Sequence, residues 1–171
     1  MLDNSFKEKW FKFVDYNPHE GQLRMHNPPG GDYDYNSNPN GVRFMVACCG
    51  RRWGKSVSAA REAEILLAQP NKRVWIVAPN YGTSEKIFRE IWDDMVIKQA
   101  LPVKRKSRKE QYIEFEWGSW VQGKSAEHPD SLIGEGLDLV IIDEAAKVKR
   151  KIWDAYIRPT LSDRKGRAIF V

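Results

Sequence analysis

The stretch "VRFMVACCGRRWGKSVSAAREAEILLAQP", Val42 to Pro70, decides how this chain is read. "VRFMVACC" is mostly apolar and partly β-branched, which predicts a buried strand. "SVSAAREAEILLAQP" sets Ala59, Ala60, Ala63, Leu66 and Leu67 at helical spacing, with Pro70 as the stop. Between them lies "CGRRWGKS", Cys49 to Ser56, which departs from the phosphate-loop pattern GxxxxGK[ST] at its first glycine. A second stretch, "GSWVQGKS" (Gly118 to Ser125), satisfies that pattern letter for letter. Context separates the two, because such a loop works by aiming backbone N–H groups and a helix N-terminus at phosphate oxygens. In the second stretch the middle residues read as the turn and return strand of a hairpin, and Pro129 with two glycines beyond it forbids a long helix. The perfect match is therefore read as accidental.

In "CGRRWGKS", Gly50 and Gly54 supply the unusual backbone angles that bring N–H groups close to the β- and γ-phosphates, Lys55 neutralises the developing charge, and the Ser56 hydroxyl takes one position on Mg²⁺. The plainer reading is a glycine-containing turn that only opens a helix. A second feature favours chemistry: "LVIIDEAA" puts Asp143 and Glu144 at the C-terminal end of an apolar strand, where ligands of open α/β sheets collect. Hydrolysis of ATP needs one acid near the metal and one carboxylate to orient water. An Asp that merely caps the following helix is the alternative.

The rest of the chain repeats the strand–helix alternation. "RVWIVAP" predicts a strand, "EKIFREIWDDMVI" a helix, "YIEFEW" a half-exposed strand turning into "WVQ", "LDLVIIDE" a buried strand, and "KIWDAYIRPTL" a helix before a last strand, "RAIFV". Residues 1–41 are crowded with Pro, Gly, Asn and Asp after a short amphipathic start, and are expected to be lead-in. There "DYDYNSN" imitates a calcium loop, but Ser37 stands where Gly is needed and Arg43 where a bidentate Glu is needed, so calcium is rejected. His19, His26 and His128 are read as surface or locally bonded residues. Trp53 is read as stacking or packing, and Trp75, Trp92, Trp117 and Trp153 as core.

At 171 residues, 42% hydrophobic and 30% charged, the chain has the composition of one ordinary globular domain. No apolar run approaches the roughly 20 residues of a membrane span, and no signal-peptide core is seen, so no membrane role is expected and the cytoplasm is. Cys48 and Cys49 are neighbours without metal spacing and are read as reduced thiols. The surplus of +5 is bunched in "KRKSRK" (Lys104 to Lys109) and "KVKRK" (Lys147 to Lys151), each expected to be a solvated loop or helix end.

Taken in order, these residues resemble the ATPase motor of large terminases, which pump DNA into the capsids of tailed bacteriophages. "GRRWGKS" resembles that family's arginine-bearing phosphate loop, "YNPHEGQLRMH" its adenine-reading segment, and "FEWGSWVQGKSAEHPDSLIGEGLDLVIIDEAA" the run from hairpin to acidic box. The resemblance covers roughly residues 12–171. It implies that Gln22 bonds the adenine edge with Tyr16 at the segment's aromatic position, and that Gly50, Arg51, Arg52, Trp53, Gly54, Lys55 and Ser56 surround the phosphates of ATP. It further implies that Arg51 acts on the γ-phosphate, that Asp143 holds Mg²⁺ through water, and that Glu144 activates the attacking water. Double-stranded DNA, a portal protein, a small terminase subunit and a homo-oligomeric ring, a pentamer, are the partners it implies, in the cytoplasm of an infected host cell.

Two departures stand out. Ile133 occupies a position where many relatives carry arginine, and the chain stops at "AIFV", before the relatives' coupling motif and nuclease domain. The expected architecture is α/β, a P-loop NTPase with a mainly parallel central sheet covered by helices and a β-hairpin insertion. Residues 1–41 are the lead-in and 42–171 an ATPase core incomplete at its C-terminus, with "RAIFV" lying between the phosphate-loop strand and the acidic-box strand. Two rivals stay open: a helicase-like nucleic-acid-dependent ATPase, and a nucleotide- or DNA-binding module without turnover.

Overall fold

The computed structural model of the chain describes residues 4–34 and 36–171; Tyr35 of the calcium-like stretch lies outside them. Helices α1 (Asn4–Phe13) and α2 (Glu20–His26) precede β1 (Phe44–Val46), α3 (Lys55–Leu67), β2 (Arg73–Ala78) and α4 (Tyr81–Ile91), which widens into a π turn over Trp92–Lys98. There follow β3 (Val103–Ser107), β4 (Tyr112–Phe115), β5 (Trp120–Ser125) and β6 (Leu139–Ile142). The last elements are α5 (Arg150–Ile152), a π turn (Trp153–Ile157), α6 (Arg158–Thr160) and β7 (Arg167–Phe170).

The seven strands form one sheet in the order β1-β7-β6-β2-β5-β4-β3. From β1 to β5 the neighbours run parallel, and β5, β4 and β3 form an antiparallel meander. This is the expected P-loop NTPase sheet, with "RAIFV" as the strand between β1 and β6. Successive residues of the central strands feed opposite faces, as the period of a strand requires. Val74, Ile76, Leu139 and Ile141 join the core under α1, α2, α3 and α4, while Trp75, Val77, Val140 and Ile142 join the core under α5 and the π turn after it.

Three expectations are corrected. "VRFMVACC" contributes only a three-residue edge strand, whose Val46 is 72% exposed. Apolar, β-branched composition marks a strand, but burial depends on neighbours, and β1 has only β7 among the described residues. Residues 104–107 of the basic run "KRKSRK" belong to the opposite edge strand, β3, and only Arg108 and Lys109 lie in the turn that follows; charged side chains on the strand discourage further edge pairing. The lead-in is partly helical, and Trp10, Phe11, Val14 and Met25 belong to the same core as α3.

His26, read as a surface or locally bonded residue, is fully buried and bonds Glu62 of α3, thirty-six positions away, at 2.7 Å. Glu62 also pairs with Lys7 of α1 at 3.1 Å and with Arg167 of β7 at 2.7 Å, so one carboxylate ties four elements together. Two residues on, Glu64 accepts from Trp10 at 3.1 Å and pairs with Arg61, which Asp94 shares. Burial pushes the Glu64 carboxyl up to about 8, and its half-share of Arg61 does not offset this.

A folded-state value above the unfolded one means stability present at low pH and lost as pH climbs. The window here runs from about 4.5 to about 8. Thermal unfolding followed from pH 5 to 8.5 is therefore expected to show the midpoint falling in the native chain, and falling less in Glu64→Gln. Parallel pH profiles would refute the assignment.

Candidate nucleotide-binding site

The chain leaves β1 beside β7, where Ala47 N–H donates to the Phe170 carbonyl at 2.8 Å, and turns back at Gly54 to start α3. Gly54 has φ +90°, and a Cβ there would stand 2.5 Å from Gln22 Nε2, so both conformation and space require glycine. Gln22 belongs to α2, whose start is a capping box: Gln22 N–H donates to His19 Nδ1 at 3.3 Å, and Gln22 Oε1 accepts from His19 N–H at 3.0 Å.

With Nδ1 accepting, the neutral imidazole carries its proton on Nε2, which donates to the Trp53 carbonyl at 3.0 Å. The His19 and Trp53 rings also meet edge to face at 5.0 Å. A side chain at Gly21 would come within 2.9 Å of the Trp53 ring, so α2 is pressed directly against the loop. His19 escaped sequence reasoning because histidine is not a usual N-cap; the three-residue spacing to Gln22 was the available signal. Trp53 packs rather than standing free.

Lys55 Nζ donates to the carbonyls of Cys49 at 2.8 Å and Gly50 at 3.2 Å, folded back on its own loop. Arg51 and Arg52 are exposed, and neither has an ion-pair partner among the described residues; Arg52 has φ 61°. The Ser56 hydroxyl likewise has no protein partner among the described residues. Tyr16 faces inward, its hydroxyl 3.1 Å from His26 Nε2 and 3.3 Å from Ser58 Oγ, with the Arg61 guanidinium over its ring. The structure thus brings Gln22 to the loop and places Tyr16 behind α3.

The acidic pair arrives on the same edge of the sheet. Val46 pairs in register with Phe170, and Phe170 with Ile142, so the residues after β1 and β6 emerge level, two strand spacings apart, roughly 10 Å. Asp143 is 5% exposed; its N–H donates to Val77 O at 2.8 Å, and its Oδ1 accepts from Glu144 N–H at 3.0 Å. Its other oxygen, Oδ2, is buried without a partner. Burial pushes the Asp143 carboxyl up, while the Glu144 N–H and the charges of Lys86 and Lys55 draw it down.

Glu144 has the left-handed φ of 52°, rare for a residue with a Cβ and a recurrent feature of functional turns. Its carboxylate is held below the ordinary range, first by Lys147 and then by Lys86 and Lys55. Lys86 of α4 was not singled out from the sequence, since its relation to the acids arises only when β2 and β6 pair. A buried carboxylate oxygen with no partner, together with a free serine hydroxyl, is the donor set that a hard divalent cation such as Mg²⁺ takes.

The letter-perfect stretch behaves differently. Gly123, Lys124 and Ser125 are strand residues of β5, in parallel register with β2, and the Lys124 ammonium lies over the Trp75 ring at 5.0 Å. No helix starts there; a 3-10 turn over Pro129–Leu132 follows.

Sheet order, loop and acidic pair define a P-loop NTPase. Residues 45–162 match the family model described as the RNA cytidine acetyltransferase NAT10/TcmA, helicase domain, which holds the core from β1 to the acidic box and beyond. The large terminase subunit of Thermus virus P23-45 is 32% identical over 96% of this chain, and that of Escherichia phage T5 is 35% identical over 75%. They are covered over 35% and 30% of their own lengths, so the chain spans about a third of the curated relatives it matches. The solved ATPase domain of the Thermus phage P74-26 large terminase superposes with a TM-score of 0.79 at 31% identity, over 95% of this chain and 67% of that one. The chain belongs to the large terminase family, and its match there reaches into the lead-in residues before 45 that the helicase-domain model leaves out.

Proposed function

We propose that the chain is the ATP-hydrolysing motor domain of a viral large terminase, driving double-stranded DNA into a procapsid. The observation that carries this is the arrival of the phosphate loop and of Asp143 and Glu144 at one edge of the sheet, with β7 between them. Gln22 reads the adenine edge. Gly50, Trp53 and Gly54 shape the loop, whose N–H groups face the phosphates. Lys55 leaves the Cys49 and Gly50 carbonyls to meet the β- and γ-phosphates, and Arg51, with Arg52 beside it, approaches the γ-phosphate from the solvent side. Tyr16 serves the site from behind, by holding α3 through Ser58.

Ser56 and Asp143, the latter through water, would hold Mg²⁺, which supplies neutralisation of phosphate charge when bound. Glu144 accepts the proton of the attacking water. Other copies of the chain in a ring, a portal protein and a small terminase subunit are the partners this reading requires, in the host cytoplasm; among the described residues no helix is long and apolar enough to cross a membrane.

The helicase-domain match at residues 45–162 favours a second reading, a helicase-like nucleic-acid-dependent ATPase. Strand separation by the protein would support it, and translocation on intact duplex would support the packaging motor. The loop assignment is tested by titrating a fluorescent ATP analogue. Lys55→Ala is expected to weaken binding at least about tenfold, the scale of one charge-assisted contact to phosphate. Lys124→Ala is expected to leave the affinity within twofold. The reverse ranking would move the nucleotide to the other stretch.

A further inference from the structure

The carboxylate assigned to water activation is held by a neighbour: Glu144 Oε2 lies 3.1 Å from Lys147 Nζ. Lys147 opens the run Lys147, Lys149, Arg150 and Lys151, all exposed, which leads from the acidic pair into α5. Arg150 pairs with Asp154 at 3.2 Å, whereas Lys149 and Lys151 have no acidic partner among the described residues. The other basic run is more heavily engaged, although Lys109 has no partner among the described residues. On and beside β3, Lys104 pairs with Glu114, Arg105 with Glu110 and Arg108 with Asp93, while Lys106 and Arg108 lie over the Trp92 ring. An incoming polyanion thus finds two open cations, Lys149 and Lys151, directly after the acids in the chain, with Lys147 and Arg150 in solvent-exposed pairs beside them.

We propose that Lys147, Lys149, Arg150 and Lys151 form a docking lip for the backbone phosphates of a nucleic-acid duplex, and that a phosphate taken by Lys147 releases Glu144 to act on water. The inference rests on Glu144 being the water-activating carboxylate. Lys147 is a positioning residue for hydrolysis: it touches neither ATP nor metal, and it acts through the carboxylate it holds. A duplex carries one negative charge per about 1.7 Å of axis, so a phosphate competes well with a single carboxylate for an exposed ammonium. The pair's two side chains are 68% and 42% exposed, so its hold is weak and the gain from release is at most about fivefold. Lys147 therefore tunes turnover by duplex occupancy and does not switch it off.

The test is steady-state ATP turnover by the full chain with and without a short DNA duplex, for the native protein, Lys147→Ala and Lys147→Arg. Lys147→Ala is expected to raise basal kcat about two- to fivefold with KM for ATP unchanged, and to shrink the stimulation by duplex by the same factor. Lys147→Arg is expected to restore native behaviour. Basal kcat that stays level or falls in Lys147→Ala overturns the proposal, as does a native protein that binds duplex without stimulation.

Docking is read separately by fluorescence anisotropy. The pair Lys149→Ala and Lys151→Ala is expected to weaken duplex binding and to lower the slope of log affinity against log salt by about two; an unchanged slope overturns the lip. Glu144→Gln placed on Lys147→Ala separates the two readings. Lost turnover there with no effect of Lys147→Ala alone sinks only the release step, and retained turnover sinks the assignment of Glu144.

Discussion

Glu144→Gln is expected to lower kcat for ATP hydrolysis by about 10²–10⁴-fold, the usual worth of a positioned general base, while ATP still binds. The amide keeps the size of the carboxylate and the left-handed turn but cannot accept a proton from water. It also gives up the charge that holds Lys147, which is a small effect because that pair is solvent-exposed. Binding should survive because the contacts assigned to phosphate come from α3 and its loop, on the far side of β7. Single-turnover hydrolysis beside equilibrium binding of the same nucleotide measures both quantities. Turnover within a factor of a few of the native chain would remove Glu144 from the mechanism, and a protein that binds ATP but turns nothing over even with Glu144 intact would favour the binding-module reading.

For stability the largest expected loss is Glu62→Ala. Removing one partner of a buried ionic cluster leaves the others charged and desolvated, which costs about 3–5 kcal/mol. Here Lys7, His26 and Arg167 all lose their common anion, and α1, α2, α3 and β7 lose their shared tie. For a chain of this length the unfolding midpoint should drop by about 10 °C. A drop under about 2 °C would show that Asp32, which also pairs with Lys7 and Arg167, can stand in.

The pH response of Glu62 is opposite to that of Glu64. Burial raises Glu62, but Lys7 and Arg167, with His26, outweigh it and hold the carboxyl far below its ordinary range. Its contribution is present above the unfolded value and is lost as pH falls. Two glutamates on one helix, both fully buried, thus titrate in opposite directions because one has several cations and the other shares a single arginine.

Much of the site was legible because its parts are contiguous. A strand, a glycine-bearing loop with Lys55 and Ser56, and an Ala-rich helix follow one another within thirty residues, and the acids close an apolar strand. That same context logic separates the loop at Gly54 from the stretch at Gly123, where the letters fit and the backbone is a strand. What was misread were degrees of exposure and roles that depend on distant partners. "VRFMVACC" reads as buried although β1 is an edge, "KRKSRK" reads as a solvated loop or helix end although residues 104–107 belong to a strand paired with β4, and His26 reads as a surface or locally bonded residue although Glu62, thirty-six positions away, holds it in the core.

The sequence by itself determined the fold class: local patterning marked most of the core strands and helices, and context separated the loop at Gly54 from the stretch at Gly123. Tertiary structure decided which charges meet. The charge of Lys86 acting on the acids, His19 fastening α2 to Trp53, and Glu62 joining four elements all arise from the tertiary fold, with the sheet in the order β1-β7-β6-β2, whereas Lys147 holding Glu144 is a contact within one turn. Strand order sets side chains far apart in the chain within a few ångströms of each other, and periodicity along a single segment carries no information about that.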